Sequence, residues 1–250
     1  MLDHPRIFFL FALVLLWLSA QGGISLRRLR VLKDDERDDF NTVQAATLTL
    51  LGLIIGFSFS MAISRYDQRK NYEEAEANAI GTEYVRAGLL PAADAATVRG
   101  QLRKYLALRI SYYHTRNEPE LQHIDANTAQ LQNEMWLAVQ TPALANPTPV
   151  SALAVWGMND VLNSQGYTQA AWWNRIPGSA WALMIGMAIC CNMLIGYGAR
   201  GAGVKSGLLF VLPLVAAIAF LLIADIDSPR RGFIHVVPQN LISLQDSLPK

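Results

Sequence analysis

Charged residues vanish from four stretches of the chain and crowd into the segments between them. Residues 7–26, 40–64, 176–199 and 206–224 contain no Asp, Glu, Lys or Arg. A helix crossing a hydrocarbon core of ~30 Å needs about 20 largely apolar residues, so each stretch predicts a membrane span. The first has an alternative reading as a cleavable signal, with Arg6 before the apolar run and Leu18-Ser19-Ala20 as the processing site. Its apolar character continues through Gly22, Gly23, Ile24 and Leu26 and stops at Arg27, Arg28 and Arg30, which predicts a retained helix.

Small residues recur at four-residue steps inside two spans. Gly52, Gly56, Ser60 and Ser64 form one row, and Gly178, Ala182, Gly186 and Cys190 another. Such rows allow close backbone approach between helices in lipid. Pro213 predicts a kink in the last span. Trp17, Trp172, Trp173 and Trp181 lie near span ends, where interfacial anchoring and internal packing are both open to them.

Beyond Ser64 the chain turns charged without a helix breaker, so the second span is expected to run on as one helix out of the membrane. Gly81 is the only weak point before Leu90-Pro91, and Glu73, Glu74 and Glu76 read as a solvated face. A further helix is expected over 93–116, with Val98, Leu102, Tyr105, Arg109 and Tyr112 on one side. Another follows Pro119; its seam Leu121, Ile124, Thr128, Leu131, Met135 and Ala138 alternates three- and four-residue steps. Thr141-Pro142 and Asn146-Pro147-Thr148-Pro149 should end it, and a last helix should cover 150–165. No strand pattern appears. The fold class is therefore all-α: four spans with a helical extramembrane domain between the second and third. The expected divisions are 1–64 (two spans), 65–175 (extramembrane domain), 176–225 (two spans) and 226–250 (tail).

Composition narrows the function. The net charge is +1, and residues 65–175 hold 10 Lys/Arg against 11 Asp/Glu, too little basic excess for a nucleic-acid surface. Cys190 and Cys191 are adjacent, a poor geometry for a mutual disulfide on a helix. No HExxH, GxSxG, GxxxxGK[ST] or CxxC occurs, and the histidines His4, His114, His123 and His235 are dispersed, so neither catalysis, a cofactor nor a metal is expected. No charged residue lies within a span, which disfavours a transporter or membrane enzyme. Asp225 and Asp227 close the last span; they read either as a helix end in water or as carboxylates at a pore mouth, with Arg65 and Arg69 as further candidates at the end of the second span. Charge alone leaves the orientation open. Arg27, Arg28, Arg30, Lys33, Arg37, Arg200 and Lys205 on one side balance Arg6, Arg65, Arg69, Lys70, Arg175, Arg230 and Arg231 on the other.

The run Leu51-Gly52-Leu53-Ile54-Ile55-Gly56-Phe57-Ser58-Phe59-Ser60-Met61-Ala62-Ile63-Ser64-Arg65-Tyr66-Asp67-Gln68-Arg69 resembles the second transmembrane helix of bestrophins. Glu76-Ala77-Asn78-Ala79-Ile80-Gly81-Thr82, with Asp225, Asp227, Pro229 and Gly232 after the last span, is similar to bacterial membrane proteins grouped by a bestrophin-like domain. The resemblance implies a homopentamer in the bacterial inner membrane, with both termini and the insert cytoplasmic. It further implies a pore for small inorganic ions lined by the second span. The family's constriction maps onto Thr49, Leu53 and Phe57, with Gly52, Gly56 and Ser60 left for helix packing. Thr49 departs from the apolar pattern, and the acidic calcium clasp of eukaryotic members has no counterpart.

Three readings follow. One is an oligomeric ion channel. Another is a non-conducting scaffold or signalling module whose seam 121–138 binds a partner protein. The third is a membrane enzyme or transporter.

Overall fold

The computed structural model of the protein describes residues 4–30, 32–199 and 206–249. Arg200 and Lys205 of the charge tally lie outside these residues. Among the described residues there are helices and no strands. They are α1 (Pro5–Leu29), α2 (Arg37–Arg86), α3 (Ala92–His114), α4 (Glu118–Ala145), α5 (Pro149–Trp173), α6 (Gly178–Gly198), α7 (Ser206–Asp227) and α8 (Gln239–Ser247). A 3-10 turn, Ala87–Leu89, follows α2. The chain is thus all-α, and four of its helices are long and apolar enough to cross a membrane.

Two compact units result. The first takes Met1–Arg65 and Arg175–His235, and the second takes Tyr66–Asn174 and Val236–Lys250. The tail does not stand apart: it divides between the two.

In the first unit α1 packs against α6 and α7. The closest approach is made by two glycines. A Cβ on Gly23 would collide with the Met193 carbonyl, and one on Gly196 with the Ala20 carbonyl. Each glycine thus gives its missing side chain's volume to the other helix's backbone. The anticipated row in α6 lies elsewhere: Gly178, Ala182, Gly186 and Cys190 face outward, while Trp181, Met184, Ala188, Cys191 and Gly196 face the bundle. Trp181 is a packing residue, edge-on to Phe8 and Phe220 at 5.2 and 6.3 Å between ring centres.

The second unit is a helical domain in which α3 packs on α4 and α8, and α4 on α5. Val98, Leu102, Tyr105, Leu106, Met135, Val139, Met158 and Val161 form its core. All five residues of the predicted α3 face are buried, Arg109 included. Pro142 does not end α4. The helix runs through it to Ala145, because proline forfeits one backbone bond and its carbonyl still accepts from Asn146 at 3.0 Å. Pro147-Thr148-Pro149 does make a connector, and Thr148 starts α5 with a capping box to Ser151. That helix continues well past residue 165, to Trp173.

The expected solvated glutamate face is overturned. Glu74 is exposed, but Glu73 and Glu76 are buried. The Glu73 carboxylate accepts the N–H groups of Asn240 and Leu241 at the first turn of α8, both at 2.9 Å, and the Asn240 side-chain amide at 2.6 Å. A carboxylate there satisfies donors that have no partner within α8 and meets the positive end of its dipole. Glu76 pairs with Arg109, also wholly buried, and accepts the Thr168 hydroxyl at 3.1 Å. Burial opposes the Arg109 charge, but Glu76 outweighs it and holds the guanidinium firmly protonated.

Candidate functional site

The face of α2 inside the first unit is set by its buried residues. Only Leu51, Ser58 and Ala62 are buried between Asn41 and Ser64, seven and four residues apart, a single narrow stripe. At about 100° per residue, Thr49, Leu53 and Phe57 point to the opposite side, within about 40° of Leu53. All three are exposed, Leu53 at 52% and Phe57 at 65%. The Thr49 hydroxyl donates to the Ala45 carbonyl at 2.9 Å, so its polarity is partly satisfied within the helix.

Within the same 40° of Leu53 the other exposed span residues are small: Thr42, Ala46, Ser60 and Ser64. A Cβ added to Gly52 or Gly56 would meet nothing within 4 Å. Leu53 and Phe57 are therefore the two bulky side chains on that strip, and Val43, Leu48, Leu50, Phe59 and Ile63 are exposed on its flanks. The outward faces of α1 and α7 differ. They carry Ile7, Leu10, Phe11, Val14 and Leu18, and Leu208, Val211, Val215, Ile218 and Leu222. Large aliphatic side chains of that kind suit hydrocarbon.

The candidate charges at the ends of α2 and α7 are brought together in part. Arg65 lies 3.9 Å from Asp227. Asp227 also accepts the Ile176 N–H at 3.1 and 3.2 Å, just before α6 begins. Asp225 accepts the N–H groups of Phe233 and Ile234 at 2.8 and 2.9 Å. Both aspartates are buried, so the reading of a helix end in water is corrected: they fold the chain leaving α7 and entering α6. Gly232 permits this turn, because a Cβ there would strike the Asp225 carbonyl. Beside the turn, the Arg6 guanidinium stacks 4.5 Å from the Phe233 ring centre, and Arg231 donates to His4 at 3.0 Å. Arg69 is buried in the second unit.

Sequence reasoning missed the Glu76–Arg109–Thr168 cluster. One signal was present: an arginine in the row Val98, Leu102, Tyr105, Tyr112 needs a buried acid. Among the described residues no group of three or more His, Cys, Asp or Glu could hold a metal.

Known proteins give the context for this geometry. A crystal structure of a variant of a bacterial bestrophin homologue from Klebsiella pneumoniae is similar at TM-score 0.68 and 12% identity, covering 96% of this chain and 99% of that one. A second variant of the Klebsiella pneumoniae homologue gives 0.67 and 12%, with 96% and 97% covered. A structure described as a membrane protein gives 0.68 and 13%, with 96% and 99% covered. At these identities the likeness is one of fold. A search of curated proteins gives no match. The family description "Bestrophin-like domain" matches residues 7–241, nearly the whole chain. With four apolar helices, an all-α fold and a family match of that length, this membrane protein belongs to the bestrophin-like family.

Proposed function

We propose that the chain is the protomer of an oligomeric ion channel whose pore is lined by the exposed face of α2. One observation carries this reading: the strip of α2 centred on Leu53 is slim and partly hydroxylic, whereas α1 and α7 turn large aliphatic residues outward. Threonine, serine and glycine gain little from lipid and suit either water or a neighbouring helix. When several copies surround an axis, Leu53 and Phe57 form two apolar rings that gate by dewetting, with the Thr49 hydroxyls beside them. Gly52 and Gly56 then allow adjacent α2 helices to approach. A homopentamer is the assembly the family resemblance favours.

Arg65, Asp225 and Asp227 are read as the clamps that fix the chain at the ends of α2, α6 and α7, rather than as ligands for permeating ions. Family membership favours a role without catalysis and an inner-membrane location with cytoplasmic termini. The exposed face of α5 is also suited to assembly. Ala152, Leu153, Trp156, Asn159, Asn163, Gly166, Tyr167, Ala170 and Trp173 carry no charge among them. The scaffold reading loses the surface it was built on, since Ile124, Thr128, Leu131 and Met135 are spent on the domain's own core.

The test is purified protein in planar bilayers, with its oligomeric mass measured in parallel. The wild type should form a defined oligomer and pass current, and Leu53→Ala with Phe57→Ala should raise conductance by weakening the dewetted barrier. A folded oligomer that passes no current with or without these substitutions rejects the channel.

A further inference from the structure

Three glutamates of α2 point into the second unit. Glu73, Glu76 and Glu83 are all buried, the last two completely. The first two have full sets of partners: Asn240 and Leu241 for Glu73, Arg109 and Thr168 for Glu76. Glu83 breaks the pattern. Neither of its carboxyl oxygens has a hydrogen-bond partner. Buried polar groups are nearly always satisfied, and an exception calls for a physical account.

The surroundings supply one. Opposite Glu83 stands Gly157 of α5, where a Cβ would collide with Oε2 and lie 2.9 Å from Nη1 of Arg86. The carboxyl thus rests on the bare backbone of α5, at a spot only glycine leaves open. Two charged groups bear on it: Arg86, from the next turn of α2, and Asp160, from α5. From α3, Arg99 approaches the same region, but it donates to the Tyr84 carbonyl at 3.0 Å and lies over the Tyr84 ring and Gly88. Burial raises the Glu83 carboxyl most, Arg86 offsets part of this and Asp160 adds to it, so it is pushed up to about 8. A neutral carboxylic acid tolerates this seat far better than a carboxylate does.

We propose that Glu83 is a proton-operated spacer between α2 and α5: neutral, it lets the two helices close over Gly157, and ionised, its demand for water drives them apart. The spacer stands on the contact within the second unit and does not depend on conduction.

Linkage fixes the sign. With the helices apart, Glu83 titrates near its ordinary 4.5; closed, near 8. The closed form therefore binds more protons between those values. Opening grows by up to about tenfold per pH unit across that window and levels off on either side.

The experiment is hydrogen exchange on the full-length protein in lipid nanodiscs, following peptides from 66–89 and 149–173. The comparison is Glu83→Gln, which keeps the shape and cannot ionise; the base-catalysed rise common to both cancels in their ratio. The wild-type-to-variant ratio of exchange rates should climb at least about a hundredfold across the window and then flatten. Infrared difference spectra should show a carboxylic acid carbonyl band in the wild type near neutral pH, absent in Glu83→Gln and lost from the wild type at higher pH. A ratio that stays flat, or the absence of any acid band removed by the substitution, overturns the proposal. Should Glu83→Gln not fold, Glu83→Met serves the same comparison.

Discussion

Asn240 gives Glu73 both its backbone N–H and its side-chain amide, at 2.9 and 2.6 Å, so one carboxylate of α2 holds the first turn of α8. Leu241 follows it into the core, Leu244 packs beside Gly81, and Arg103 donates to the Pro249 carbonyl at 2.8 Å. The C-terminal helix is fixed at both ends, with its strongest bonds at the start. Glu73→Ala should weaken the domain by about 2–3 kcal/mol, the scale of lost charge-assisted bonds. Limited proteolysis should then cut within 239–249 at protease levels that leave the wild type whole. Unchanged resistance would show that the apolar contacts suffice.

Arg109 and Glu76 are a wholly buried ion pair, with the guanidinium also 4.3 Å from the Tyr112 ring centre. Removing one partner strands the other charge. Arg109→Met or Glu76→Leu alone should each cost about 3–5 kcal/mol, and the double substitution less than either. Denaturant unfolding of the four proteins gives the cycle. Additive losses would mean that the two charges do not depend on each other in the folded state.

Glycines in the spans separate into two kinds. Gly23→Leu and Gly196→Leu put side chains where backbone already stands, so both should prevent α1 from docking on α6 and abolish recovery of folded protein. Gly52→Leu and Gly56→Leu meet nothing in the protomer and should leave it folded. Their effect should fall on assembly, read as a shift to smaller species by light scattering in detergent. Failure of all four to fold would remove the distinction.

The spans were legible because charge disappears from them, a signal that survives without knowing any neighbour. The continuation of α2 beyond Ser64 was legible for a similar reason: nothing in its sequence stops a helix. The glutamates were misjudged because their partners are remote. Asn240 lies 167 residues from Glu73, and Thr168 lies 92 from Glu76. A run of acids beside lysine and arginine looks solvated until such partners are known. The small-residue rows failed differently. Spacing showed that close approach was possible in α6 but not which row would use it; Gly196, outside the row, was chosen by its register against Ala20. Thr49, Leu53 and Phe57 were named through likeness, and periodicity could say only that they share a side.

The pairing of Gly23 with Gly196 also bears on how the protein is made. Gly23 leaves the ribosome 173 residues before its counterpart. At ordinary rates of elongation that is a wait of roughly ten to thirty seconds. During it α1 waits in the bilayer without α6 and α7, the helices it packs on, and its notch is open to acyl chains. Newly inserted α6 must then displace those lipids, so a late step of maturation belongs to the bilayer as much as to the polypeptide.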